Sequence, residues 1–295
     1  MDNPPQQFPT KPLIRCPAYC LVFVSSLYIY GGFNRQCTKN VRRRLISAVV
    51  SCALIFLDTL TFLRCSDSVH SGAYFCDLSK LFLKWENLGL ALLLPSLATS
   101  LLFLAPLWHE YLSGRFSPVL DYLVELRGNV DLCWLRTVVV APLVEEVIFR
   151  GCILFHLQRQ FSSCAGLCTG SAILFALSHF HHVIEKVYDG RSLKAAVLEV
   201  LPQVLMTGVF GIYSTLIVLR TGHLAAACSV HSLCNAMGMP DFRSEFYLAG
   251  IRDGRRGRLV YASLLVCGVL LWLVLIGPAT TLFGLSDSTV CRVCP

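Results

Sequence analysis

Eight apolar stretches divide the chain, at residues 16–33, 45–63, 88–108, 137–157, 165–180, 196–219, 222–238 and 259–277. A bilayer hydrocarbon core takes about 20 apolar residues to cross as a helix, and these stretches have that length or come near it. The third and eighth contain no charged residue. The fifth and seventh are shorter and rich in small residues, which suits helices in the protected middle of a bundle. The pattern predicts an all-α polytopic membrane bundle of about eight transmembrane helices. Pro95, Pro142 and Pro202 fall inside predicted spans and mark kinks or irregular turns there.

Residues 64–87 and 109–136 form the longest polar connections. Within the second, SPVLDYLVELRG carries apolar residues at helical spacing and predicts a helix lying along the interface. The connection before the last stretch mixes aromatic and basic residues and is expected to face lipid headgroups. The expected division is a polar segment over 1–15, an N-terminal membrane region over 16–136, a second membrane domain over 137–277 and a tail over 278–295. The opening MDNPPQQFPTKP lacks the basic region and short apolar core of a cleavable signal, so the first span is expected to be an uncleaved anchor.

Composition agrees with the pattern. The chain has 295 residues, 55% hydrophobic and 15% charged, against about 25% charged in soluble domains. Its net charge of +7 calls for no acidic partner and no nucleic acid. The placement of the charge is more informative. The odd-numbered connections hold 16 Lys and Arg, against 8 in the even-numbered connections and the two ends. The positive-inside rule then puts the odd connections in the cytosol and both ends outside it. Most of the 15 cysteines lie in apolar runs such as SCALIF, RGCILF and SSCAGLC, where they serve as small hydrophobes.

The fourth stretch breaks the apolar rule with VEEVIFRG, residues 144–151. An ionised side chain at mid-bilayer costs ~2.5–3.5 kcal/mol, so three of them need neutralising partners or a polar cavity. Glu146 and Arg150 are four residues apart with the acid first, the favourable order for an ion pair on one helix. Glu145 is rotated about 100° from Glu146 and has no partner on its own helix. The expectation is a Glu146–Arg150 clamp that leaves Glu145 as the working carboxylate. The fifth stretch ends in His179, with Phe175 one turn earlier on the same face; His181 and His182 follow at the membrane surface. The seventh carries His231 and Asn235, whose spacing of four aligns them on one face.

Together these stretches supply a carboxylate, two imidazoles and a carboxamide. No serine sits in a G-x-S-x-G context. Direct attack by water fits this set. Glu145 would serve as general base and His179 would orient the water, with His231 and Asn235 donating to the developing oxyanion. Zinc held by the glutamate and histidines is a rival, although H-E-x-x-H is absent. A transporter or proton channel using Glu145, Glu199 and the histidines is another, and the lack of an inverted repeat speaks against it. A third reading is a non-enzymatic scaffold.

EEVIFR, FALSH and HSLCN, in this order, match E-E-x-x-x-R, F-x-x-x-H and H-x-x-x-N. Over residues 137–240 the chain resembles the type II CAAX prenyl endopeptidases, the Ras-converting enzyme branch of a wider intramembrane protease family. The resemblance implies a metal-free, glutamate-dependent endopeptidase of the endoplasmic reticulum membrane, with no cofactor. Such an enzyme removes three residues from farnesylated or geranylgeranylated CAAX proteins such as Ras-like small GTPases. Carried over, Glu145 and His179 activate water, His231 and Asn235 stabilise the oxyanion, and Glu146, Arg150 and Phe175 support the site. A cavity open to the cytosolic side is then expected, because the substrates are made in the cytosol.

Overall fold

The computed structural model describes residues 11–30, 38–63, 65–67, 74–76, 78–112, 132–238 and 242–281. The expected interfacial helix and the tail over 282–295 lie outside the described residues. Eight helical runs account for most of the described chain. They are α1 (Lys11–Ile29), α2 (Thr38–Leu60), α3 (Leu88–Leu112), α4 (residues 132–157), α5 (Cys164–Tyr188), α6 (Leu193–Thr221), α7 (Leu224–Met237) and α8 (Phe242–Thr281). Each coincides with one of the apolar stretches. By length and composition, α3, α5, α6 and α8 are long and apolar enough to cross a membrane, and α7 is a shorter apolar helix. The polar connection after α2 is not purely irregular: β1 (Cys65–Asp67) pairs antiparallel with β2 (Tyr74–Cys76), Ser66 opposite Phe75.

Local chemistry sets the helix ends. Ser163 and Ser192 cap α5 and α6 by accepting from the backbone N–H groups of Gly166 and Ala195. Gly222 closes α6 in the left-handed conformation that favours glycine (φ 67°). The turn to α7 is therefore short, and Leu224 N–H is held by the Phe82 carbonyl at 2.8 Å.

α4 is not a uniform α-helix. Leu135–Val140 and Val147–Ile153 are π-helical, and the α-helical Ala141–Glu146 lies between them. Pro142 has no N–H to give to the carbonyl four residues back, and the helix widens just before it. Pro95 and Pro202, by contrast, lie inside helical segments of α3 and α6.

The core forms where α1, α2 and α4 to α7 meet, around Tyr19, Phe23, Ile55, Ile148, Phe149, Phe175, Val218 and Leu224. α7 buries Ala226, Ala227, Cys228 and Val230, the small-residue interior helix that its composition predicts. α5 and α6 approach closely: a Cβ added to Gly211 would meet Ala172 Cα at 3.0 Å. Small residues are what allow helices to come this near in the absence of a strong hydrophobic drive. Leu198, Leu205, Val209, Leu270, Leu273 and Val274 are exposed, as a lipid-facing surface requires. Cys16, Cys152 and Cys228 are free and buried, the expected role of small hydrophobes, whereas Cys164 is disulfide-bonded.

The segment before the eighth apolar stretch departs from its expected form as a loop. It is helical from Phe242, with a break at Asp253 and Gly254 (φ 60°, ψ −140°). The segment folds back on α8: Tyr261 OH donates to Glu245 Oε2 at 2.6 Å, and Ala249 is buried with Tyr261 and Ala105.

Candidate active site

Glu145 and Glu146 end the α-helical segment between the two π-helical stretches of α4. Adjacent residues on a helix point about 100° apart, and the two carboxylates go to different surroundings. Glu146 is completely buried. One of its oxygens accepts from Arg150 Nη1 at 3.1 Å, and the other from Ser214 Oγ of α6 at 2.8 Å. The same Oε1 lies 2.7 Å from His231 Nδ1 of α7. Glu145 instead lines a cavity of about 550 Å³, its side chain 17% exposed.

The expected clamp is therefore present, and it is larger than a pair. Arg150 also donates to the Gly211 carbonyl of α6 at 3.4 Å and lies over the Phe175 ring of α5, 4.2 Å from its centroid. One buried ion pair thus ties α4 to α5, α6 and α7. Removing either partner of such a pair leaves an uncompensated charge in a medium that cannot solvate it.

The two imidazoles are oriented by acceptors. A carboxylate accepts only, so the His231 Nδ1–H donates to Glu146 and Nε2 is presented toward Glu145, 3.8 Å from its Oε2. A carbonyl likewise only accepts, so His179 Nδ1–H donates to the Phe175 backbone oxygen at 2.8 Å. The neutral ring then offers Nε2 as an acceptor. Phe175 supports both rings, with centroids 4.8 Å from His179 and 6.1 Å from His231. Phe210 packs on His231 at 4.7 Å.

Asn235 is one turn beyond His231 on α7, and its Nδ2 donates to the Thr137 carbonyl of α4 at 2.9 Å. That carbonyl is free for a structural reason. Ala141 N–H is given to Arg136, five residues back. The next candidate donor in π-helical register is Pro142, which has none. One N–H of the carboxamide is committed to this contact, and the second is left for another acceptor.

Glu145, His179, His231 and Asn235 all line the one cavity. Its walls include apolar Phe23, Val140, Val144, Phe149, Met206 and Phe210, with Arg44 and Arg136 among the charged residues. Glu199 is elsewhere, half-exposed and paired with Lys186 and, at 3.9 Å, with Arg191. The ion site that a transporter reading would build with Glu199 is not assembled.

Sequence reasoning missed Ser214 and the Thr137 carbonyl. His182, expected at the membrane surface, is buried within the protein. His182 Nδ1 lies 2.8 Å from Glu185 Oε2, and Glu185 Oε1 accepts from Arg44 and Tyr28 at 2.8 Å each. Among the described residues, the three-ligand group whose donor atoms fall within 4.8 Å of one another is His181, His182 and Glu185. It does not suit a cation, because the Arg44 guanidinium already occupies the carboxylate. Glu145, His179 and His231 do not converge in this way.

The comparisons agree with the geometry. A family model described as type II CAAX prenyl endopeptidase Rce1-like matches residues 127–237, a span that holds Glu145, His179, His231 and Asn235. The chain is 32% identical over 278 residues to CAAX prenyl protease 2 of Homo sapiens, covering 90% of this chain and 80% of that one. CAAX prenyl protease 2 of Arabidopsis thaliana is 27% identical over 300 residues, covering 93% and 91%. The protein of that name from Caenorhabditis elegans is 25% identical over 225 residues, covering 76% and 82%. No solved structure matches. On this coverage and identity, the chain belongs to the Rce1-like type II CAAX prenyl endopeptidase family.

Proposed function

We propose that this membrane protease removes the last three residues from proteins ending in a prenylated Cys-aliphatic-aliphatic-X sequence, Ras-like small GTPases among them. It does so in the endoplasmic reticulum membrane, with its cavity open to the cytosol. The observation that carries the reading is the single cavity that joins Glu145, His179, His231 and Asn235 under apolar walls. The apolar walls suit a farnesyl or geranylgeranyl chain, whose transfer is worth about 0.8 kcal/mol per buried CH₂. The polar cluster suits the peptide bond beside the lipidated cysteine.

The chemistry follows from the hydrogen bonds. Water held between Glu145 and His179 Nε2 attacks the scissile carbonyl, and Glu145 takes its proton. The carbonyl oxygen becomes an oxyanion, which the free N–H of Asn235 stabilises. His231 joins as a second donor, its ring oriented by the Nδ1 contact with Glu146 and its Nε2 edge facing the cavity. The proton on Glu145 then passes to the leaving amine as the tetrahedral intermediate collapses. Donors of this kind are worth ~3–4 kcal/mol each in the transition state. The protein's own groups complete this cycle, and a zinc ion is not required by it.

The test is cleavage of a farnesylated CAAX peptide by membranes containing the wild-type protein or Glu145→Gln, with and without a strong chelator. Tripeptide release by wild type that survives the chelator, and is lost in E145Q, is the expected result. Full activity in E145Q overturns the role of that carboxylate, and loss of wild-type activity on chelation favours zinc.

A further inference from the structure

Three arginines approach the polar cavity and its clamp, and two of them are neutralised. Arg150 is fully buried against Glu146. Arg44 is 5% exposed and paired with Glu185 at 2.8 Å. Arg136 also lines the cavity, but its partner among the described residues is the Thr137 hydroxyl, at 3.4 Å, and no carboxylate. An uncommitted guanidinium at a partly apolar cavity is suited to an anion of matching, bidentate shape.

We infer that Arg136 binds the free C-terminal carboxylate of the substrate and so sets the cut three residues from the chain end. The inference rests on the endopeptidase reading, which by its chemistry brings such a carboxylate into the cavity. The spacing fits. Arg136 precedes Glu145 by nine residues on α4, about 13 Å along an α-helix and less where the helix is π-helical. Three extended residues span about 10 Å, and the arginine side chain covers the difference. Asn235 is held at Thr137, beside Arg136, so the working groups and the guanidinium lie along one edge of the cavity. A carboxylate left unpaired in such a site would bear a large desolvation cost, so a substrate whose terminus does not reach Arg136 is disfavoured. The contact therefore acts as a ruler as well as an anchor.

The experiment compares two farnesylated peptides of one sequence, one ending in a free acid and one in a carboxamide, with the wild-type protein, Arg136→Gln and Arg136→Lys in membranes. The expected wild-type preference for the acid is about 10- to 100-fold in kcat/KM, the range of a charge-assisted hydrogen bond. R136Q should cleave the acid as slowly as the amide, leave amide cleavage nearly unchanged, and lose the strict three-residue cut on a peptide extended by one residue. R136K should keep part of the preference. Wild-type protein that cleaves acid and amide equally well overturns the inference whatever the variants do, and so does an acid preference undiminished in R136Q. Wild-type protein inert on both peptides overturns the endopeptidase reading, and this inference with it.

Discussion

His231 Nδ1 and Glu146 Oε1 lie 2.7 Å apart across 85 positions of sequence. This contact joins the structural half of the site to its chemical half. Glu146 compensates Arg150 and also orients the imidazole whose other nitrogen faces Glu145. Neighbouring carboxylates on one helix therefore carry separable burdens, and substitution should separate them.

Glu145→Gln should abolish turnover while leaving the fold intact. The carboxylate lines the cavity and lies 3.8 Å from His231 Nε2, so an isosteric amide disturbs little packing. Loss of a general base lowers kcat by about 10²- to 10⁴-fold. Thermal unfolding in detergent should coincide with wild type, and binding of a farnesylated peptide should persist.

Glu146→Gln should damage both. The amide removes the charge that compensates Arg150, at a cost of ~3–5 kcal/mol for a broken buried pair. It also takes away the fixed acceptor of the His231 Nδ1–H, and loss of such an orienting carboxylate can lower kcat by as much as about 10⁴-fold. Thermal inactivation at lower temperature together with a reduced kcat in the surviving fraction is the expected pattern. A variant that loses activity with unchanged thermal stability would contradict the placement of Glu146 in the clamp.

What the sequence reveals of this site follows its local physics. Glu146 and Arg150 are legible because a spacing of four puts them on one helix face, and Glu145 because the same geometry leaves it without a partner. His179 and Asn235 are legible as polar residues inside apolar stretches. Ser214 carries the same signal but is one hydroxyl among many in the spans, and hydroxyls bond readily to their own helix, as Thr215 does to Gly211. The Thr137 carbonyl has no side-chain signature; its only trace is Pro142, five residues on. Arg44 and Glu185 fall in what read as polar connections, where charge is ordinary, so their burial is a product of tertiary packing. The helical fold-back at the start of α8 is hidden by the charges of DGRRGR for the same reason.

Pro142→Ala should reveal the role of the interrupted helix. It restores an N–H that can compete for the carbonyls ahead of it, and Asn235 then loses the acceptor that holds it at Thr137. Misplacing a catalytic group by about 1 Å can cost ~10²-fold in rate, so a fall in kcat of that order or somewhat less is expected. Removing an interior proline relieves a penalty of up to ~3 kcal/mol, so thermal stability should stay level or rise. Activity lost with stability gained would mark the π-helical stretch as a device for positioning Asn235.

Arg44→Leu should be far more harmful than the double replacement of Arg44 and Glu185 by leucine. The pair bridges α2 and α5 at 2.8 Å with both side chains nearly buried. Glu185 is further held by Tyr28 of α1 and by His182. Removing Arg44 alone strands Glu185 in the interior, at ~3–5 kcal/mol, whereas replacing both members of a buried pair with apolar groups is often neutral. Because Arg44 and His182 line the cavity but stand apart from Glu145 in the proposed chemistry, the single variants should lose stability rather than the chemical step. Thermal inactivation of the two single variants and the double variant, combined as a mutant cycle, gives the coupling directly. A strongly positive coupling with kcat retained in the double variant is the expected outcome. A double variant that is stable but inactive would instead move this cluster into the catalytic machinery.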